Sequence, residues 1–257
     1  AAKIAGAARR PAAKTARWPD DSLREVFALQ ARGAFNPATD DRRIQLWNAR
    51  LRLDPQDARA RLELAAIYEQ YSLFEEALEQ YTRALNLLPD SQSALAEAAA
   101  VGLGRAGTAV GRSAEAIPVL AAFVKRAPGA TEAWNQLGLL YDQRGERAAA
   151  EQAFRRAVEL RPGSDRLHNN LGYNLLLQGR LEAAEAELRR AVQLDPNSAT
   201  AYNNLGMVLA RRGDLQGARR EFLAHGDPAA AHNNLAVVLL EMGEYERSRD
   251  ELVQALR

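Results

Sequence analysis

The 257-residue sequence predicts an all-α fold, a solenoid of about six to seven helix-turn-helix units stacked one on the next. Three observations carry that prediction. Residues 131–164 and 165–198 repeat one pattern in a single register, 34 residues per copy, and a third copy opens at Ala199. Within each copy, small and apolar residues recur at i, i+3, i+4 and i+7, the spacing of one helical face. The composition is 47% hydrophobic but only 6% aromatic, rich in alanine and without the clusters of Val, Ile and Thr that mark strands.

The copies show what each element is for. In 131–164, positions 4, 7, 8 and 11 are Trp134, Leu137, Gly138 and Tyr141, one face of a first helix, and His168, Leu171 and Gly172 answer the first three. Positions 20, 24 and 27 form the face of a second helix, as Ala150, Phe154 and Ala157 and again as Ala184, Leu188 and Ala191. Gly145 stops the first helix and Pro162 the second. Gly138 and the alanines let the two helices approach, and Phe154 fills the space between them. One such hairpin cannot bury its own apolar face, so neighbours must stack.

The other units follow in chain order. Residues 1–19 are a basic, Ala-rich tail, expected to be a disordered linker, with Lys3, Arg9, Arg10, Lys14 and Arg17 and no acid before Asp20. The other 29 Lys and Arg meet 33 Asp and Glu, which leaves the body at −4. The solenoid is expected over 20–257. Its first unit, about 21–57, is degenerate, with Trp47 at the aromatic position, Pro55 as its stop, and Arg43 and Arg50 in place of the small residues. Residues 58–91 restore the pattern with Leu64, Ala65, Tyr68, Ala77, Tyr81, Ala84 and Pro89. The unit 92–130 is five residues too long, since Pro89 to Pro128 spans 39 rather than 34. The Gly-rich stretch 102–111 is the expected place for the excess, as a lengthened flexible turn. Gly102, Gly104 and Gly107 spell G-x-G-x-x-G, a motif that binds nucleotide only between a strand and a helix. The unit 199–228 is cut short by Gly226-Asp227-Pro228. The last, 229–257, carries His232, Leu235, Ala236, Leu239, Leu252 and Ala255.

These offsets resemble the tetratricopeptide repeat (TPR): a bulky residue, Leu-Gly, Tyr, Ala, Phe, Ala and Pro, in tandem copies. The resemblance implies a right-handed solenoid that binds a partner protein segment and performs no catalysis. It also implies that positions 2, 5, 6, 9, 12 and 13 of the first helices line the concave surface. Asparagine stands out there, as Asn135-Gln136, Asn169-Asn170, Asn203-Asn204 and Asn233-Asn234, although it is a mediocre helix former. The carboxamides either read the main chain of a bound peptide or brace the adjacent hairpin. With Glu132, Arg166, Tyr173 and Met207 they are the candidate partner-binding residues. The chaperone-tail clamp of some TPR proteins uses Lys at position 5 and Asn at position 9. This chain has Asn at 5 and Leu139, Tyr173, Met207 and Val237 at 9, so that ligand is not expected.

No other chemistry is signalled. There is no Cys, which removes thiolate nucleophiles and thiolate metal sites. His168 and His232 sit at position 4, a packing position, and far apart, so no metal, cofactor or nucleic-acid partner is expected. A narrower resemblance rests on Tyr202-Asn-Asn-Leu-Gly, the Gly213-Asp214 turn, the shortened helix ending at Pro228, and His232-Asn-Asn-Leu-Ala. This series is similar to TadD-type TPR proteins of tight-adherence (Flp) pilus assembly. It implies a pilotin that brings an outer-membrane secretin to the inner face of the outer membrane, anchored through a lipidated Cys ahead of Ala1. A cytoplasmic TPR scaffold or regulator, or the TPR part of a larger enzyme, is the alternative.

Overall fold

The computed structural model describes residues 36–88 and 93–256. The tail, the first helix expected within 21–35, Pro89 and Arg257 lie outside the described residues. Among those described there are fourteen helices and no strand, and no helix is long and apolar enough to cross a membrane. The chain divides into two units, 1–46 and 47–257. In the described part of the first, α1 (Pro37–Asp40) is a single turn. The carboxylate of Asp41 then accepts the Arg43 N–H at 2.7 Å and caps α2 (Arg42–Leu53). That helix ends just before Pro55, as the sequence requires.

The second unit holds six hairpins. They are α3 (Ala58–Gln70) with α4 (Phe74–Leu87), α5 (Ser93–Ala109) with α6 (Ser113–Arg126), and α7 (Thr131–Gln143) with α8 (Arg147–Leu160). Then come α9 (Asp165–Leu177) with α10 (Leu181–Leu194), α11 (Ala199–Arg211) with α12 (Leu215–His225), and α13 (Pro228–Glu241) with α14 (Tyr245–Ala255). Each helix packs on its hairpin partner and on the next helix in the chain. First helices also meet across repeats, as α3–α5, α5–α7, α9–α11 and α11–α13, whereas second helices meet appreciably only at α4–α6. The first helices are therefore the crowded, inner side of the stack, and the second helices splay outward.

The repeat positions do what their residue types demand. Leu171 and Phe154 are 1% exposed. A Cβ added at Gly138 would lie 2.5 Å from the Phe154 ring, and one at Gly172 2.6 Å from Leu188, so only glycine admits those side chains. The hairpin turns at Gly111, Gly145, Gly179, Gly213 and Gly243 have φ between +70° and +87°, a left-handed conformation that costs glycine nothing. In the first hairpin Ser72 occupies that place at φ +58°. Asp57, Asp214 and Asp227 cap α3, α12 and α13 by accepting backbone N–H groups at 2.7–2.8 Å.

The Gly-rich stretch corrects the sequence expectation. Residues 102–109 are helix, and α5 has 17 residues where α3, α7, α9 and α11 have 13. Gly111 falls in register with Gly145, so the additional turn lies at the N-terminus of α5 and not in the hairpin turn. The glycines are packing sites. A Cβ at Gly102 would fall 2.3 Å from the Tyr81 ring, at Gly104 2.9 Å from Gln136, and at Gly107 2.8 Å from Ala116. Helix contacts of this closeness override the low helix propensity of glycine.

Candidate functional site

The candidate residues all stand on the inner first helices, and their asparagines bond to one another. Asn170 Nδ2 donates to Asn135 Oδ1 at 2.8 Å, Asn204 Nδ2 to Asn169 Oδ1 at 2.8 Å, and Asn234 Nδ2 to Asn203 Oδ1 at 3.4 Å. In these three pairs position 6 of one repeat donates to position 5 of the one before. The ladder stitches α7 to α9, α9 to α11 and α11 to α13. Asn135 is 0% exposed and its Nδ2 has no partner, so it lies behind the surface and cannot line it as the sequence reading expected. The cause is local, since α5 presses closely on α7 at this level. Asn169, Asn170, Asn203, Asn204 and Asn234 are half-buried, and Asn233 is exposed. Gln136 is half-buried against Gly104.

Beside the ladder runs an apolar stripe. Position 9 of successive first helices places Leu139, Tyr173, Met207 and Val237 in line, 36% exposed at Leu139 and 45% at Val237. Met207 is half-buried against the core, and the three exposed apolar side chains, Leu139, Tyr173 and Val237, form a surface with something to gain from being covered. The charged candidates are paired: Glu132 takes Arg161 at 2.6 Å and also Arg166. At the other end of the inner face Arg105 forks onto Glu69 at 3.1 and 2.8 Å, and Tyr81 Oη donates to Glu69 at 2.6 Å. Burial first, then the adjacent Glu69 carboxylate, push the Tyr81 hydroxyl well above its usual range.

Sequence reasoning missed Asn174. It is 0% exposed at position 10, where neighbouring repeats have Leu140 and Val208. Its Nδ2 donates to Asp142 at 2.6 Å and to the Arg147 carbonyl at 3.2 Å, and its Oδ1 accepts from Gln178 at 2.7 Å. The available signal was one amide within Leu171–Leu177, otherwise apolar on that face. The histidines are held structurally. Trp134 Nε1 donates to the Pro128 carbonyl at 3.1 Å, and His168 Nε2 lies 3.0 Å from that of Pro162, six residues back in both cases. In the repeat that has Tyr202 at position 4, His225 reaches the Pro196 carbonyl instead, at 2.7 Å, with its ring 4.8 Å from that of Tyr202. Among the described residues no group of three His, Asp or Glu is placed to hold a metal.

Comparison with known proteins agrees with this geometry. Residues 101–165 match the tetratricopeptide repeat and residues 174–213 a TPR repeat. No curated protein matches the sequence. Among solved structures, MamA from Desulfovibrio magneticus RS-1 superposes with TM-score 0.55 at 20% identity, over 75% of this chain and 97% of that one. YrrB, a TPR protein with an unusual peptide-binding site, gives 0.52 at 19% identity, over 79% and 97%. Another MamA structure gives 0.51 at 23% identity, over 60% and 92%. Residues 101–165 and 174–213 therefore carry tetratricopeptide repeats, and the fold is an all-α helical-repeat stack of the kind those proteins share.

Proposed function

We propose that this chain is a non-enzymatic scaffold that binds a segment of a partner protein along its inner face. The observation that carries the proposal is the stripe Leu139–Tyr173–Met207–Val237 on four consecutive first helices beside the carboxamide ladder, exposed at Leu139, Tyr173 and Val237 and half-buried at Met207. The stripe supplies apolar area, and Asn169, Asn170, Asn203, Asn204, Asn233 and Asn234 supply the polar flank. Five of these carboxamides spend one donor or acceptor in the ladder and keep the others for a ligand, and the exposed Asn233 stands outside the ladder. The peptide-binding site of YrrB supports peptide recognition as the class of function. Site-specific photocrosslinkers test the reading. Placed at 173, 207 and 237 in cells of the natural source, they are expected to capture one discrete protein that a crosslinker at outer-face Arg190 does not. Equal capture from both faces, or none from the inner face, overturns it.

Within that class we propose a pilus or secretion-system assembly role, as a pilotin for an outer-membrane secretin at the outer membrane. Its support is the sequence series from Tyr202 to Ala236, in which α12 has 11 residues against 14 in α8 and α10. Metabolic labelling of the full-length native protein with a radioactive fatty acid, followed by membrane fractionation, decides it. Label in the outer-membrane fraction supports the pilotin. An unlabelled protein outside that fraction leaves a general scaffold.

A further inference from the structure

Where the inner face passes α5 it opens into a hollow. Positions that carry asparagine in later repeats are Val101 and Gly102 here, and the additional turn of α5 continues the small residues upward. The floor is Ala94, Ala98 and Val101 with Leu62, one wall is Tyr81, and the rim carries Glu97, Arg105 and Glu132. The rim charges cancel. Arg105 is engaged by Glu69, and Arg161 and Arg166 converge on Glu132. Glu97 Oε1 accepts the Glu132 N–H at 2.7 Å, and its second oxygen takes no hydrogen bond among the described residues. Three carboxylates, Glu69, Glu97 and Glu132, thus face three guanidiniums, Arg105, Arg161 and Arg166.

A charged side chain entering this hollow loses water and meets no net countercharge. A purely aliphatic one leaves the open Glu97 oxygen without a donor. What fits is a neutral side chain with a broad apolar body and one donor at its tip. We infer that the hollow is an anchor site for a tryptophan or tyrosine of the partner segment, its ring on Ala98 and Val101 and its N–H or O–H donating to Glu97. The inference rests on the inner face being the binding surface and adds the residue class that fixes the partner's register.

The test uses the full chain, methyl-labelled, titrated by NMR with N-acetyltryptophanamide, N-acetyltyrosinamide, N-acetylleucinamide and N-acetylargininamide. The aromatic probes are expected to shift the methyl signals of Leu62, Ala94, Ala98 and Val101 saturably, and the other two to bind several-fold more weakly. Glu97→Ala is expected to weaken the tryptophan probe roughly three- to tenfold, the worth of one hydrogen bond. Glu97→Gln, which keeps an acceptor oxygen, holds it within about twofold. Ala98→Trp, at an exposed position, fills the hollow and abolishes the shifts while far-UV circular dichroism and melting stay unchanged. Absence of saturable shifts at the floor, tightest binding by the arginine probe, or indifference to Glu97→Ala overturns the inference. None of those results touches capture by the crosslinker at position 173, so the hollow and the groove fail separately.

Discussion

The Asn135–Asn170 pair yields a prediction that separates a brace from a surface amide. Asn135 is 0% exposed, and its one hydrogen bond is the 2.8 Å acceptance from Asn170, since Nδ2 has none. Asn170→Ala therefore strands a buried carboxamide altogether. The expected cost is about 1–3 kcal/mol, the price of an unsatisfied buried polar group. At the midpoint of that range, melting falls by about 4–8 °C for a chain of this size. Asn135→Leu in the wild-type background removes the same bond but leaves the half-buried Asn170, which water can satisfy. In the Asn170→Ala background the same substitution removes the stranded amide and is expected to restore at least about 1 kcal/mol. Urea denaturation of the four proteins, with unchanged slope as the check on cooperative unfolding, measures the cycle. If Asn135→Leu shifts stability equally in both backgrounds, to within about 0.3 kcal/mol, the bond does not couple the repeats and the reasoning fails.

Three further outcomes follow from the packing. Gly138→Ala forces a Cβ to 2.5 Å from Phe154 and is expected to cost about 1–3 kcal/mol, which Phe154→Ala in the same chain lessens rather than adds to. Ser72→Gly relieves a left-handed serine at φ +58° and is expected to raise the unfolding free energy measured in urea by up to about 1 kcal/mol, net of the entropy glycine brings to the unfolded chain. Burial pushes the Glu151 carboxyl upward, but hydrogen bonds from Gln178, Arg180 and Arg155 prevail and hold it below the usual glutamate range. Its contribution is therefore present above the unfolded-state value, about 4.3, and is lost as pH falls through the lower folded-state value. Urea midpoints measured from pH 5 to 3 should fall less steeply for Glu151→Gln than for the wild type.

The sequence revealed the hairpins because the repeat ties every position to a partner at a known offset. Gly145 and Gly179 meet the left-handed requirement of a turn, and Gly138 with Phe154 meets the volume requirement of a close crossing. Both follow from one residue type and one spacing. Gly102, Gly104 and Gly107 misled for the same reason. Glycine as a breaker and glycine as a helix contact look alike until the opposing Tyr81, Gln136 and Ala116 are known. The asparagines were legible as an inner-face series but not as a ladder, because the donor of one repeat meets the acceptor of the repeat before, 31–35 residues away. Nothing in a single copy shows that offset. Asn174 was illegible for a related reason, since its partners Asp142 and Arg147 belong to the preceding hairpin.

The ladder also bears on the form of the bound segment. An extended peptide carries unpaired N–H and C=O groups along its length and gains affinity when a surface answers them. Here the carboxamides best placed to answer are already bonded across repeats, and position 9 offers only Leu139, Tyr173, Met207 and Val237. A helix arrives with its backbone satisfied and needs only an apolar face. The spacing makes the two cases separable. Packed helices stand about 8–10 Å apart, so one repeat step corresponds to about five to seven residues of partner helix at 1.5 Å each. In an extended chain at about 3.3 Å per residue it corresponds to about three. Photocrosslinkers at positions 139, 173, 207 and 237, read by mass spectrometry of the captured partner, measure that step directly. Adducts advancing by five to seven residues per repeat establish a helical ligand, and a three-residue advance refutes it.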